Sequence, residues 1–175
     1  MAHVKVVRRS MRPEEWTDLR FVWLQRGIYE EKFEITDLEI RDARQISEDQ
    51  YEYYSDEYRP LKKDDMYFTP DGTAFIRGHV QIPAHMKGKN IYFTLHTAAE
   101  MIVKINGKYV GGVDPNRERI LLNPYIDSDD LTIEIEAYNR SKPDDERNPA
   151  SLAHRGCRQI FEGAYLATIR DNVQI

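Results

Sequence analysis

The stretch Met101–Leu122, M-I-V-K-I-N-G-K-Y-V-G-G-V-D-P-N-R-E-R-I-L-L, decides the fold. Asn106-Gly107 stands between two apolar-rich runs. A type I′ hairpin turn needs positive φ at both central residues, which makes Asn-Gly the strongest short-range hairpin signal. A two-residue loop also fixes the register, pairing Ile105 with Lys108 and Val103 with Val110. Met101, Val103 and Ile105 then share one face with Val110. Gly111-Gly112 follows, then a turn over Asp114-Pro115-Asn116 and a third strand from Glu118 to Leu122. Three adjacent strands joined by tight turns predict an antiparallel β domain.

The same period runs outward in both directions. After Asp127-Ser128-Asp129-Asp130, Leu131, Ile133, Ile135 and Ala137 alternate with Thr132, Glu134, Glu136 and Tyr138, the pattern of a half-buried strand. Upstream, Ile91, Phe93 and Leu95 alternate with Tyr92, Thr94 and His96, behind a turn at Lys87-Gly88-Lys89. Residues 74–82 alternate between the turn at Asp71-Gly72 and Pro83, which closes a strand because it cannot donate to a ladder. Residues 28–42 read as two short strands, or one bent strand broken at Thr36-Asp37. Asp42 to Leu61 is acidic, rich in tyrosine and without strong periodicity. It is expected to be an irregular segment laid over the sheet, with a helical turn near Ser47-Glu48-Asp49.

The two ends of the chain differ from this pattern. Ser10, Pro13, Glu14 and Glu15 are helix-start signals and Gly27 a stop. Trp16, Leu19, Trp23 and Leu24 fall on one helical stripe, suited to core packing or docking. Asn139 to Arg158 holds Pro143, Pro149, Gly156 and many charges. A structureless loop of about 20 residues is uncommon in a compact domain and tends to be functional or disordered. A last strand, Gln159 to Arg170, closes the chain. The expectation is one all-β domain, an antiparallel jelly-roll β-sandwich with a short N-terminal helix. Residues 1–27 form the helical segment and 28–175 the sandwich, with first and last strands as neighbours.

At 175 residues the chain is long enough to bury ~68–70% of its unfolded surface without staples. Its one cysteine, Cys157, cannot form an intrachain disulfide, which points to a reducing compartment. No stretch approaches the ~20 apolar residues of a membrane span, and the N-terminus has no apolar run of signal-peptide length. A cytoplasmic protein without a membrane partner is expected. Net charge is −5, with cations scattered among acids, which does not suit a nucleic-acid surface.

The chemistry-bearing residues form no catalytic motif. The five histidines are His3, His79, His85, His96 and His154, and none makes H-x-H or H-E-x-x-H. His154 and Cys157 have a possible ligand spacing but stand alone in the polar loop. There is no G-x-S-x-G elbow and no phosphate-binding glycine loop. A glycosidase needs two carboxylates, about 5–5.5 Å apart for retention or about 6.5–9.5 Å for inversion. Asp64-Asp65, Asp129-Asp130 and Asp144-Asp145 all fall in predicted turns, where Asp is favoured for backbone reasons. Among 11 tyrosines, Tyr51, Tyr53, Tyr54 and Tyr58 make the best sugar-stacking platform by composition. They are equally the glue that a surface segment needs.

Two segments resemble a known family. Ser55 to Pro83, S-D-E-Y-R-P-L-K-K-D-D-M-Y-F-T-P-D-G-T-A-F-I-R-G-H-V-Q-I-P, is similar to "Asp-Trp-x-Pro … Gly-Asp-x-Trp … Asp-x-Thr-Ala-Trp-Phe-Arg … Ile-Pro". That pattern belongs to the N-terminal domain of the alpha-mannosidases of glycoside hydrolase family 38. Gly88 to Leu122 resembles that domain's "Gly-Lys … Leu-x-Phe … Glu-x-x-Val-x-x-Asn-Gly-x-x-x-x-Gly-x-Asp-x-Asn-His". Departures are Phe75-Ile76 for Trp-Phe, Asp65-Met66-Tyr67 for Asp-x-Trp, and Arg117 where histidine is usual. The Asn-Gly hairpin and the Ile-Pro end also occur in the sandwiches of beta-galactosidases and rhamnosidases.

The resemblance implies a galactose-binding-like ancillary sandwich with no catalytic residue and no cofactor of its own. Zinc and the aspartate nucleophile belong to a following catalytic domain of the same polypeptide, whose His-x-Asp motif is absent here. It implies a reading frame that continues past Ile175. Asp114, Asn116 and Arg117 are then a loop that faces the parent's other domains. The alternatives are an independent carbohydrate-binding module that holds a mannose-containing glycan through Tyr51, Tyr53, Tyr54 or Tyr58, the equivalent domain of a beta-galactosidase- or rhamnosidase-like glycosidase, and a small hydrolase.

Overall fold

A computed structural model describes residues 27–65, 72–97, 99–114, 117–138 and 161–170. The strands are β1 (Tyr29–Ile35), β2 (Asp37–Ser47), β3 (Gln50–Tyr53), β4 (Arg59–Pro60), β5 (Thr73–Gln81) and β6 (Ile91–Leu95). They continue with β7 (Glu100–Ile105), β8 (Lys108–Val113), β9 (Arg119–Leu121), β10 (Asp130–Tyr138) and β11 (Ala164–Ile169). The expected helix with its Trp16 and Trp23 stripe, the 139–158 loop, His3, His154, Cys157 and Asp144-Asp145 lie outside the described residues.

Two antiparallel sheets face one another. One runs β1-β11-β6-β9, the other β3-β2-β5-β10-β7-β8 with β4 also on β2. The chain crosses between the sheets repeatedly, and β1 pairs with β11 over Tyr29↔Ile169 to Ile35↔Ala164. The first and last described strands are therefore neighbours, as the jelly-roll reading predicts. Thr36 is the break: β1 and β2 are two strands, and they belong to different sheets.

The core lies between the layers. In β10, Leu131, Ile133, Ile135 and Ala137 are buried while the alternate residues are exposed. Leu38, Ile40, Ile76, Val80, Met101, Val103 and Ile105 extend that layer, and Ile91, Phe93, Leu95, Leu166 and Ile120 face it from the other sheet. Each fully buried aliphatic or aromatic side chain stabilises the fold by roughly 1.5–3 kcal/mol relative to exposure. Gly78 holds an inward position of β5. A Cβ there would sit 2.4 Å from the Asp37 carbonyl oxygen and 2.4 Å from Leu38 Cδ2, so Leu38 occupies the space that a side chain would need.

The Asn106-Gly107 turn has φ of 50° and 74°, and Ile105 pairs with Lys108 as expected. The register then departs from expectation. Lys104 pairs with Tyr109, but Val103 pairs with Gly111 and not with Val110. Val110 is the extra residue of a β-bulge, and Gly111 takes up the distortion at φ 151°. The bulge lets Val110 and Val113, three residues apart, both bury. It also bends the strand, and the third strand of the motif leaves this sheet: β9 pairs with β6, not with β8. Local turn chemistry set the strand, but the buried Ile120 and Leu122 set its partner.

Asp42–Leu61 is also more ordered than its composition suggests. β2 continues to Ser47 and turns at Glu48-Asp49, where Asp49 has φ 58°. It pairs back as β3 through Ala43↔Tyr53 and Gln45↔Tyr51, so the expected helical turn is a hairpin turn. Residues 44–50 are exposed, so no buried face imposed the alternation by which a strand is recognised. At the base, Leu61 N donates to Leu38 O at 2.8 Å and fixes β4 to the sheet edge.

Gly78→Ala is expected to destabilise the fold by about 2–3 kcal/mol through overpacking. Urea unfolding should show a lower midpoint, and an unchanged midpoint would contradict the close approach of β2 and β5.

Candidate functional site

The β2–β3 hairpin and the segment that leads into β4 bring Tyr51, Tyr53 and Tyr58 onto the outer face of the seven-stranded sheet. The Tyr51 ring meets Phe75 edge-on, with centroids 4.9 Å apart and planes at 89°, and Tyr53 lies 5.6 Å from the same ring. Such tilted pairs align the positive ring edge with the negative face of its neighbour. The Arg41 guanidinium lies 3.6 Å from the Tyr53 centroid and 4.9 Å from that of Tyr58; Arg77 lies 4.0 Å from Tyr58. These cation–π contacts occupy ring faces that a pyranose would otherwise use. Tyr54 is 55% exposed, and its backbone N–H donates to Asp42 O at 3.1 Å.

Charges around the cluster are held by register. Arg77 pairs with Glu39 at 2.7 Å, directly across β5 and β2. Arg59 pairs with Asp42 at 3.1 Å. The Tyr51 hydroxyl donates to Glu136 Oε1 at 2.5 Å, a bond from the hairpin to β10. That hydrogen bond first, then burial and the Glu136 charge, push the Tyr51 phenol from its ordinary 10.0 up to about 12. Ionisation would remove the donated proton and set two negative charges side by side.

The other predicted group lies elsewhere. Asp114 and Arg117 close the corner after β8: Arg117 N donates to Asp114 O at 3.0 Å, and the side chains form an ion pair at 3.1 Å. Asn116 lies outside the described residues. This corner follows β8 at one edge of the sheet, while the tyrosines sit by β3 at the other. They are not one site.

The aspartate pairs act as turn fasteners. Asp127 pairs with Lys108 at 2.9 Å, Asp129 with Lys87 and Asp130 with His79. Two strands, β8 and β5, and the loop that leads into β6 are thereby tied to one turn. The Lys108 ammonium, through its hydrogen bond and then its charge, holds the Asp127 carboxyl below the usual range. Asp65 Oδ2 accepts from Lys62 N at 2.8 Å. His85 faces Glu31 at 3.6 Å, and His96 pairs with Glu118. No group of three metal-ligating side chains lies together among the described residues, and no described helix is long and apolar enough to cross a membrane.

A concave site was not foreseen from the sequence. A cleft of about 510 Å³ opens where the chain passes from β1 to β2, lined by Phe33, Thr36, Asp37, Val80, Gln81 and Lys87 among others. Phe33 pairs with Leu166 and continues the core row, yet it is 40% exposed. The broken alternation at Thr36-Asp37 was the available signal. It marked a strand break, but not that the two strands would part to line a groove.

No protein-family model matches the chain, and no curated protein matches it. Among solved structures, the chain is similar to a β-D-glucuronidase of Dictyoglomus thermophilum at 16% identity and a TM-score of 0.46, covering 81% of this chain and 29% of that one. It is also similar to a calcium-binding mutant of Bacteroides uniformis β-glucuronidase 2 at 18% identity and a TM-score of 0.49, covering 78% and 18%. The chain spans less than a third of either. Likeness of this degree does not extend to activity or ligand.

Tyr51 is expected to titrate near 12, and Glu136→Gln should bring it back toward 10. Because the folded pKa lies above the unfolded one, the stability from this bond is complete below about pH 10 and lost as pH rises through about 12. Tyrosinate absorbance across an alkaline titration of both proteins checks this; coincident curves would contradict the Tyr51–Glu136 bond.

Proposed function

We propose that this chain is a non-catalytic β-sandwich module of a glycoside hydrolase, and more narrowly the N-terminal domain of an alpha-mannosidase. The observation that carries the reading is the Met101–Leu122 corner. The run that resembles the family is an architectural unit: Asn106 and Gly107 make the turn, and Asp114 with Arg117 closes the corner. Asn106 also reaches β10, where its Oδ1 accepts from Thr132 N at 2.8 Å. Gly112 lies so close to β7 that a Cβ would stand 3.3 Å from the Met101 carbonyl oxygen. The resemblance therefore falls on residues that build a particular sandwich corner.

In this reading the partner is the catalytic domain of the same polypeptide, in the cytoplasm, and zinc belongs to that domain. The outer sheet face offers it a surface, with Ile102 51% and Tyr109 67% exposed. A second reading, a module that binds a mannose-containing glycan, is compatible with the fold. The arginine-covered rings of Tyr53 and Tyr58 favour a packing role for the tyrosines over a sugar platform.

The test is hydrolysis of an aryl α-mannoside by the native gene product and by residues 1–175 alone, with aryl β-glucuronide and β-galactoside beside it. The native product should be longer, carry a His-x-Asp motif past Ile175 and cleave the mannoside, whereas 1–175 should cleave none. A native product that ends at Ile175, or one that cleaves only the β-glucuronide or β-galactoside, would overturn the mannosidase assignment.

A further inference from the structure

We propose that the cleft between β1, β2 and the end of β5 is a binding site for an uncharged pyranose, with Phe33 as its stacking platform. A pyranose has one face of C–H groups and a rim of hydroxyls, so it suits a concave site with one aromatic wall and a few convergent polar groups. Phe33 is the aromatic wall. It is the end of the core row Phe33–Leu166–Phe93, left partly uncovered where the two sheets separate.

The polar groups are Thr36, Asp37 and Gln81. All three line the cleft, and among the described residues no side-chain hydrogen bond or ion pair engages them. Their neighbours are committed: His79 to Asp130, and Lys87 to Asp129. The open side chains supply one hydroxyl, one carboxylate and one amide, a set of donors and acceptors matched to vicinal hydroxyls. The close β2–β5 approach at Gly78 holds Asp37 opposite His79, so the Asp37 wall stands on a rigid ladder.

Charge sets the selectivity. Among the described residues no ion pair engages Asp37, and Glu34 adds a second carboxylate to the lining. With the Lys87 ammonium turned to Asp129 and the His79 ring to Asp130, the cleft repels an acidic sugar and admits a neutral one. The site is distinct from the tyrosine cluster, where arginines cover the rings. The inference deepens the glycan-binding reading and rests on it. The mannosidase assignment has its own test on the native product, so either can fail without the other.

The experiment is titration of the isotope-labelled full chain with methyl α-mannopyranoside, methyl β-galactopyranoside and glucuronate, followed through backbone amide shifts. At least one neutral glycoside at roughly 10 mM, the range of millimolar affinity, should move amides at residues 33–37 and 79–82 and not at 51–58. Glucuronate should bind at least about fivefold more weakly, and Asp37→Asn should narrow that gap. Phe33→Ala should weaken binding roughly tenfold, and Gln81→Ala serves beside it because it leaves the core row intact. Both variants must keep the amide dispersion of the parent. No shift with either neutral glycoside, shifts confined to residues 51–58, or undiminished binding by folded Phe33→Ala and Gln81→Ala would overturn the proposal.

Discussion

The ladder between β5 and β10 carries the structure. Its register runs from Asp130↔Gln81 to Tyr138↔Thr73 without interruption, and its inner residues form the middle of the core. β2 is laid on the far side of β5, and β7 on the far side of β10. Every other strand of the seven-stranded sheet attaches through these four. A sheet with one apolar face must bury it against another layer, and the β1-β11-β6-β9 sheet provides that layer. Gly78 is the point at which this central ladder depends on an absent side chain.

The two faces of that sheet have different tasks. Inside, β-branched and leucine side chains interdigitate. Outside, the cross-strand row Glu39–Arg77–Glu134–Lys104–Tyr109 alternates sign before ending on an aromatic ring, an arrangement that stabilises by neighbouring opposite charges. The β2–β3 hairpin folds over one end of this face and is fastened by Arg41, Phe75 and Glu136, while Arg77 holds Tyr58 before β4. Exposed ion pairs contribute little one by one. The fastening therefore rests on the aromatic contacts and on the Tyr51–Glu136 hydrogen bond, while the charges fix register.

The interior strands were legible because burial wrote a period of two into them. β10 is the clearest case, with Leu131 to Ala137 in and Thr132 to Tyr138 out. β2 beyond Ala43 and β3 were not legible, since both faces there meet solvent and no alternation was imposed. The cleft was less legible still. Phe33 reads as one more core residue of an alternating strand, and only the parting of β1 and β2 into different sheets leaves it exposed. Of the four tyrosines that sequence singled out, Tyr51, Tyr53 and Tyr58 pack around Phe75, Arg41 and Arg77, and sequence proposed no such packing partners. It could not show that Arg41 and Arg77, far from them along the chain, would cover the rings.

The sequence by itself determined the all-β class, the Asn106-Gly107 turn, the inward residues of β5, β7 and β10, and the pairing of first and last strands. The first three follow from local φ preferences and from side-chain period, which a single segment carries within itself; the pairing of first and last strands follows from the jelly-roll class. Only the tertiary structure decided that Val103 faces Gly111, that β9 crosses to the other sheet, and that β1 and β2 separate to open a cleft. The reason is physical. Alternation tells a strand which face to bury but not against which neighbour, and that choice is made by fitting distant side chains such as Val110, Val113 and Ile120 into one shared core.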